Sequence, residues 1–161
     1  MATLYFDSSA LAKRYLREPW SAVVEDAIAA SSVLTSVVAR AEVTGAFARA
    51  VRERLIRIDD GGLLLLRFAE HWSDFVTLEV TEEIAEHAAR LAWEHGLRGF
   101  DAVHLASAVW YGEDIGLPVA FATFDRQLWR AARAAGLEPW PAGLGDSHNR
   151  SPGHPLSRDL Q

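Results

Sequence analysis

Between Phe100 and Tyr111 the chain carries Ala102, Val103, Leu105, Ala106, Ala108, Val109 and Trp110, enough to cover nearly every side of a helix. A helix that is apolar all round belongs in the interior. Yet Asp101 stands in its first turn, and His104 follows three residues on, on the same face. An aspartate at a helix start ordinarily caps the helix or complements its dipole. What sets Asp101 apart is that three more carboxylates elsewhere in the chain sit in equally unusual places.

The elements around this helix alternate. Thr3 to Phe6 is a short apolar run that stops at a polar cluster, which predicts a buried strand. Asp7-Ser8-Ser9 turns into a helix from Ala10 to about Arg17, ended by Pro19, and Trp20 to Ser31 predicts a second. Val33 to Thr35 is a second strand, and Ser36 caps a long helix to about Ile58. Asp59 and Asp60 open another helix, to about Ser73; Phe75 to Val80 alternates like a strand; Thr81 caps an amphipathic helix that Gly96 stops. Pro118 to Thr123 is a buried strand, Asp125 opens a last helix to Ala135, and Leu137 to Trp140 is a short edge strand.

This order predicts a single α/β domain over residues 1–141, with a central, mostly parallel sheet of four to five strands and helices on both faces. From residue 142 to 161 glycine, proline, serine and arginine prevail, and this stretch reads as a disordered tail.

Composition narrows the function. The chain has no cysteine, which excludes disulfides and thiolate metal sites. It shows no basic-then-apolar leader and no apolar run near the roughly 20 residues of a membrane span, so a cytoplasmic protein is expected. A net charge of −6 argues against a general nucleic-acid binder. However, 15 of its 16 cationic residues are arginine, the side chain that forks two hydrogen bonds onto a phosphate. The arginines from Arg49 to Arg57 read as a solvated helix face, with RNA or partner contact as the alternative.

In parallel α/β sheets ligands lie beyond the carboxyl ends of the strands. Asp7 directly follows the first strand, Asp125 follows the Pro118 strand, and Asp101 starts a helix that faces the same edge. Glu42 lies two turns into an apolar helix, where a charge is costly unless paired. Each could be a cap or half of an ion pair. Together they would repel and partly protonate unless a cation neutralised them. With oxygen donors and no thiolate, that cation is Mg²⁺ or Mn²⁺, whose open positions suit water and phosphate oxygens.

Asp7-Ser8-Ser9-Ala10-Leu11-Ala12-Lys13-Arg14-Tyr15, Ala41-Glu42-Val43, Asp101-Ala102-Val103-His104-Leu105-Ala106 and Thr123-Phe124-Asp125 resemble the PIN domain family. Within it they resemble the VapC toxins of bacterial toxin–antitoxin pairs, from about Thr3 to Trp140. The resemblance implies an endoribonuclease that depends on Mg²⁺ or Mn²⁺, with Asp7, Glu42, Asp101 and Asp125 as its acidic residues and metal ligands. It implies that Ser9 and Thr123 orient the carboxylates, and that His104 is buried and hydrogen-bonded rather than ligating. A homodimer and a VapB-like antitoxin are implied partners. Lys13, Arg14, Arg17 and Arg98 are candidate RNA contacts.

Two other enzyme classes fit poorly. A haloacid-dehalogenase-like phosphatase needs a second aspartate where this chain has Ser9. A receiver domain needs a late lysine, and the one lysine is Lys13. The remaining alternative is a non-catalytic RNA-binding or interaction module on the same fold.

Overall fold

Parallel strands cannot be joined by tight hairpins, so every connection must be a crossover. The computed structural model describes residues 2–145. Its strands are β1 (Ala2–Phe6), β2 (Ser31–Ser36), β3 (Val76–Leu78), β4 (Ala120–Ala122) and β5 (Glu138–Trp140). Its helices are α1 (Ser8–Ala12), α2 (Ser21–Ala30), α3 (Ala39–Arg52), α4 (Ile58–His71), α5 (Glu82–His95), α6 (Gly99–Ile115) and α7 (Arg126–Ala134). The strands pair in the order β3-β2-β1-β4-β5, and every pair is parallel.

Side chains alternate across the sheet, and the two faces build two cores. Tyr5, Leu34 and Phe121 face α5, α6 and α7, through Leu91, Leu105 and Leu128 among others. Leu4, Phe6, Val33 and Ala122 face the other way, against Leu11, Val24, Val43, Phe47 and Phe68 of α1 to α4. The apolar α6 is buried as expected, with Ala102, Leu105, Ala106 and Ala108 fully enclosed.

Local signals explain several helix ends. Thr81 accepts a hydrogen bond from the Ile84 amide, and Asp125 accepts from the amides of Gln127 and Leu128. Gly96 ends α5 at φ 64°, a conformation that favours glycine.

Two helices are shorter than their patterns. α1 stops at Ala12, and the Arg14 and Tyr15 amides make tight bonds back to Leu11 and Ala12. This turn places the Tyr15 ring edge-on against Phe47 and Phe68, at 5.6 and 5.4 Å between centroids. α3 ends at Arg52, and Arg54 reverses the chain at φ 58°. Ser36 offers the following helix only a 3.5 Å contact to the Val38 amide.

Residues 142–145 form a turn beside Trp129, whose indole N–H donates to the Pro141 carbonyl at 2.9 Å. Past Gly145 the expected tail lies outside the described residues. Among the described residues no helix is long and apolar enough to cross a membrane.

The contact between α3 and α4 leads to a test with opposite signs at adjacent glycines. A Cβ on Gly61 would lie 2.6 Å from Val51 Cγ2, whereas a Cβ on Gly62 would meet nothing within 4 Å. Gly61→Ala is expected to lose about 1–2 kcal/mol by overpacking, recovered in part by Val51→Ala. Gly62→Ala should gain about 0.5–1 kcal/mol from helix propensity. Urea denaturation of the variants measures both.

Candidate active site

Asp7 follows the central strand β1, and its amide donates to the Ala122 carbonyl of β4 at 3.0 Å. Its side chain is 3% exposed. Four contacts from three donors hold it. Ser9 Oγ donates to both carboxylate oxygens (2.8 and 3.0 Å), the Ala10 amide to Oδ1 (2.8 Å) and Thr123 Oγ1 to Oδ2 (2.6 Å). Both hydroxyls are themselves fixed. Ser9 Oγ accepts from the Phe124 amide at 2.9 Å, and Thr123 Oγ1 accepts from the Asp125 amide at 3.1 Å. Thr123 thus ties Asp7 to the backbone of Asp125.

Burial pushes the Asp7 carboxyl above its usual range, and the nearby His104 and the hydrogen bonds only partly offset that. No ion pair to Asp7 is found among the described residues.

Glu42 projects from the first turn of α3. His104 Nε2 lies 2.8 Å from its Oε2, Ser8 Oγ donates to the same oxygen at 2.5 Å, and Ser8 Oγ lies 3.0 Å from Nε2. On the other side of the imidazole, Nδ1 lies 2.9 Å from the Tyr5 hydroxyl. His104 is 1% exposed, and both of its nitrogens are partnered. Burial alone would raise the Glu42 carboxyl, but the hydrogen bonds from His104 and Ser8 outweigh it and hold it below the usual value.

Neither serine is arranged as a nucleophile. Both spend their O–H on carboxylates. In a nucleophilic triad the acid and the serine also sit on opposite ring nitrogens, whereas here both share Nε2.

Asp101 lies in the first turn of α6, and Asp125 caps α7. Arg98, just before α6, spans the two: Nε to Asp101 at 2.8 Å and Nη2 to Asp125 at 3.5 Å. Gln127 donates to the His95 and Gly96 carbonyls at 3.0 and 2.9 Å, which fastens the loop carrying Arg98 onto α7. Glu42, Arg98, Asp101 and Phe100 line one cleft of about 710 Å³ whose far wall is the alanine face of α5.

The remaining candidates are placed differently. Lys13 lies over the Phe124 ring, 4.8 Å from its centroid, and pairs with Glu18 at 2.8 Å. Arg14 stands beside Ser31, Ser32 and Asp74, at the amino end of β2. Arg17 lines a separate groove with Tyr15, Leu55 and Leu63. The structure therefore brings Arg98 to the carboxylates, and leaves Arg14 and Arg17 elsewhere.

Sequence reasoning passed over Ser8 and Tyr5. The paired hydroxyls after Asp7 were a usable signal for Ser8. Tyr5 reads as an ordinary strand residue.

The donor set is all oxygen, which suits a hard cation such as Mg²⁺ or Mn²⁺. A buried carboxylate with no ion pair fits the same chemistry. As the side chains stand, no three acidic or imidazole groups among the described residues enclose a common point.

The PIN domain model matches residues 4–134. Ribonuclease VapC45 of Mycobacterium tuberculosis is 37% identical over 145 residues, covering 89% of this chain and 99% of that protein. Among solved structures, FitAcB from Neisseria gonorrhoeae aligns with a TM-score of 0.61 at 18% identity, over 84% of this chain and 95% of that one. VapBC-5, a toxin–antitoxin system of Mycobacterium tuberculosis, aligns at 0.56 and 24% identity, over 86% and 98%. At these identities the two structures speak for the fold.

The environment of Asp7 has a measurable consequence. A carboxyl raised in the fold favours its protonated form. Its cost is therefore absent below the ordinary value near ~3.9 and grows as pH rises through the folded value. Asp7→Asn is expected to raise the melting temperature at pH 7, with a gain that shrinks towards pH 4. Scanning calorimetry at the two pH values checks it.

Proposed function

The chain belongs to the PIN domain family, and from that premise we propose that it is a divalent-metal-dependent endoribonuclease, the toxin of a VapBC-type pair. Asp7, Glu42, Asp101 and Asp125 are its acidic residues. The relative named a ribonuclease supports this reading through its 37% identity across nearly its whole length. The observation that carries it is Asp7: a carboxylate 3% exposed, held by Ser9, Ala10 and Thr123, with no ion pair among the described residues. Burying such a group without an ion pair is costly, and proteins retain the arrangement where a bound cation completes it.

Asp7 and Asp101 would be the principal holders of Mg²⁺ or Mn²⁺, with Glu42 and Asp125 completing the site directly or through water. A cation there supplies Lewis-acid stabilisation of phosphate charge and a water of lowered pKa.

The chain's own groups do the rest. Ser9 and Thr123 keep both Asp7 oxygens aimed. Glu42, held ionised by His104 and Ser8, keeps a fixed negative charge at the cleft, where it can orient attacking water. Arg98 is 81% exposed, and its guanidinium can fork onto a phosphate beside Asp101. Lys13, near Phe124, is a secondary candidate for RNA contact. The net charge of −6 suits a basic partner segment, consistent with a VapB-like antitoxin, and a homodimer completes the proposed assembly. The absence of a membrane-crossing helix among the described residues is compatible with a cytoplasmic site of action.

The deciding experiment incubates the purified protein, free of partner, with total RNA plus Mg²⁺, Mn²⁺ or chelator. Discrete fragments should form only with metal. Asp101→Asn should fold normally and cut at least about 100-fold more slowly, the size typical of losing a group that acts in the transition state. Cleavage that survives both chelator and this substitution would refute the assignment. So would RNA binding without cleavage on its identified target.

A further inference from the structure

The proposed function uses the carboxylate of Glu42 but leaves unexplained why a histidine is buried behind it. His104 sits among Ala102, Leu105, Ala106 and Ala108, where an aliphatic side chain would pack without needing hydrogen-bond partners. It has them on both sides: Tyr5 at Nδ1, and Glu42 with Ser8 at Nε2. Tyr5 is fully buried too, stacked on Phe121 with ring centroids 5.3 Å apart and planes 8° from parallel.

The hydrogen-bond roles can be assigned in order. An ionised carboxylate only accepts, so the proton between Glu42 and His104 belongs to Nε2. Ser8 gives its O–H to Glu42, and therefore accepts a share of the same Nε2–H. In the Nε2–H tautomer Nδ1 is an acceptor, so the Tyr5 hydroxyl donates to it. The chain of donation runs one way, from the Tyr5 hydroxyl to His104 and from His104 to Glu42.

We infer that Tyr5 and His104 are positioning residues for Glu42: the stacked Tyr5 hydroxyl fixes the ring and tautomer of His104, whose Nε2–H holds the Glu42 carboxylate at the cleft wall. The inference rests on the proposed function for its consequence in catalysis. Three elements contribute, with Tyr5 on the central strand, His104 on α6 and Glu42 on α3. Glu42 is 25% exposed in its side chain, so it reaches the cleft while its inner oxygen stays anchored. A carboxylate so oriented approaches water or a cation with an oxygen of fixed direction, and partners of this kind tune such groups strongly.

Tyr5→Phe is the cleanest probe, because it removes one hydroxyl and keeps the ring stack on Phe121. With Mn²⁺, it is expected to lower kcat about 10-fold, leave KM for RNA unchanged, and weaken Mn²⁺ binding by a similar factor. His104→Leu should lose about 100-fold, and His104→Gln, which keeps an N–H donor, should recover part of it. In a Glu42→Gln background, Tyr5→Phe should add nothing further.

Nitrogen-15 NMR of the imidazole reads the arrangement without turnover. The expected state carries a proton on Nε2, and its signal shifts in Tyr5→Phe. A proton on Nδ1 alone, or a Tyr5→Phe effect that multiplies fully with Glu42→Gln, would overturn the inference. If the wild-type protein cleaves no RNA, the proposed function falls. The NMR signal and the Mn²⁺ affinities of wild type and Tyr5→Phe still decide the positioning role.

Discussion

Placing an ionisable group at the end of the central strand constrains everything near it. Asp7 emerges from β1 between two strands, under two packed helical layers, where water cannot reach most of it. A carboxylate there is tolerated only if its oxygens are satisfied by the protein, and the neighbouring elements supply what is needed. The chain turns at once into α1, so the Ala10 amide points back at it. Strand β4 stops one residue before Thr123, whose hydroxyl meets the same carboxylate. Ser9 closes the set and catches the Phe124 amide. The short α1, the end of β4 and the start of α7 are all organised by this single buried charge.

Around that anchor the acidic groups are held in unlike states. Desolvation dominates at Asp7 and raises its carboxyl, whereas directed hydrogen bonds prevail at Glu42 and lower it. Environments that push two carboxyls apart divide labour between them. Asp101 and Asp125 are more open and share one guanidinium at the surface. The gradient runs from a buried, pre-shaped end to a solvated end where the neutralising charge is an exposed side chain. Such a gradient suits the proposed site, which would exchange a cation and an anionic polymer without unfolding its core.

What the sequence made legible was local or periodic. Short apolar runs marked the strands, Thr81 and Asp125 marked helix starts, and the rule for parallel sheets placed Asp7 and Asp125 at one edge. The features that escaped are set by tertiary contact. Tyr5 looks like any buried strand residue because its partner lies 99 positions away. α1 ends early because Tyr15 turns into an aromatic cluster that the helix pattern does not reveal. For the same reason, Arg14 and Arg17 are near Asp7 along the chain but not in space: the turn after Ala12 carries them off. Arg98 was easier to place because its contact to Asp101 is three residues away on one helix start.

The bond between Asp7 and Thr123 closes a separation of 116 residues. During synthesis, Asp7 leaves the ribosome well before Thr123, whose hydroxyl satisfies it and is made near the end of the domain. Until β4 has emerged and inserted beside β1, the central strand lacks one neighbour and Asp7 remains hydrated. Parallel sheets with such distant partners fold slowly and late. The order of translation thus acts as a clock for this protein, in which Asp7, made well before its partner, is set in place only when that partner arrives.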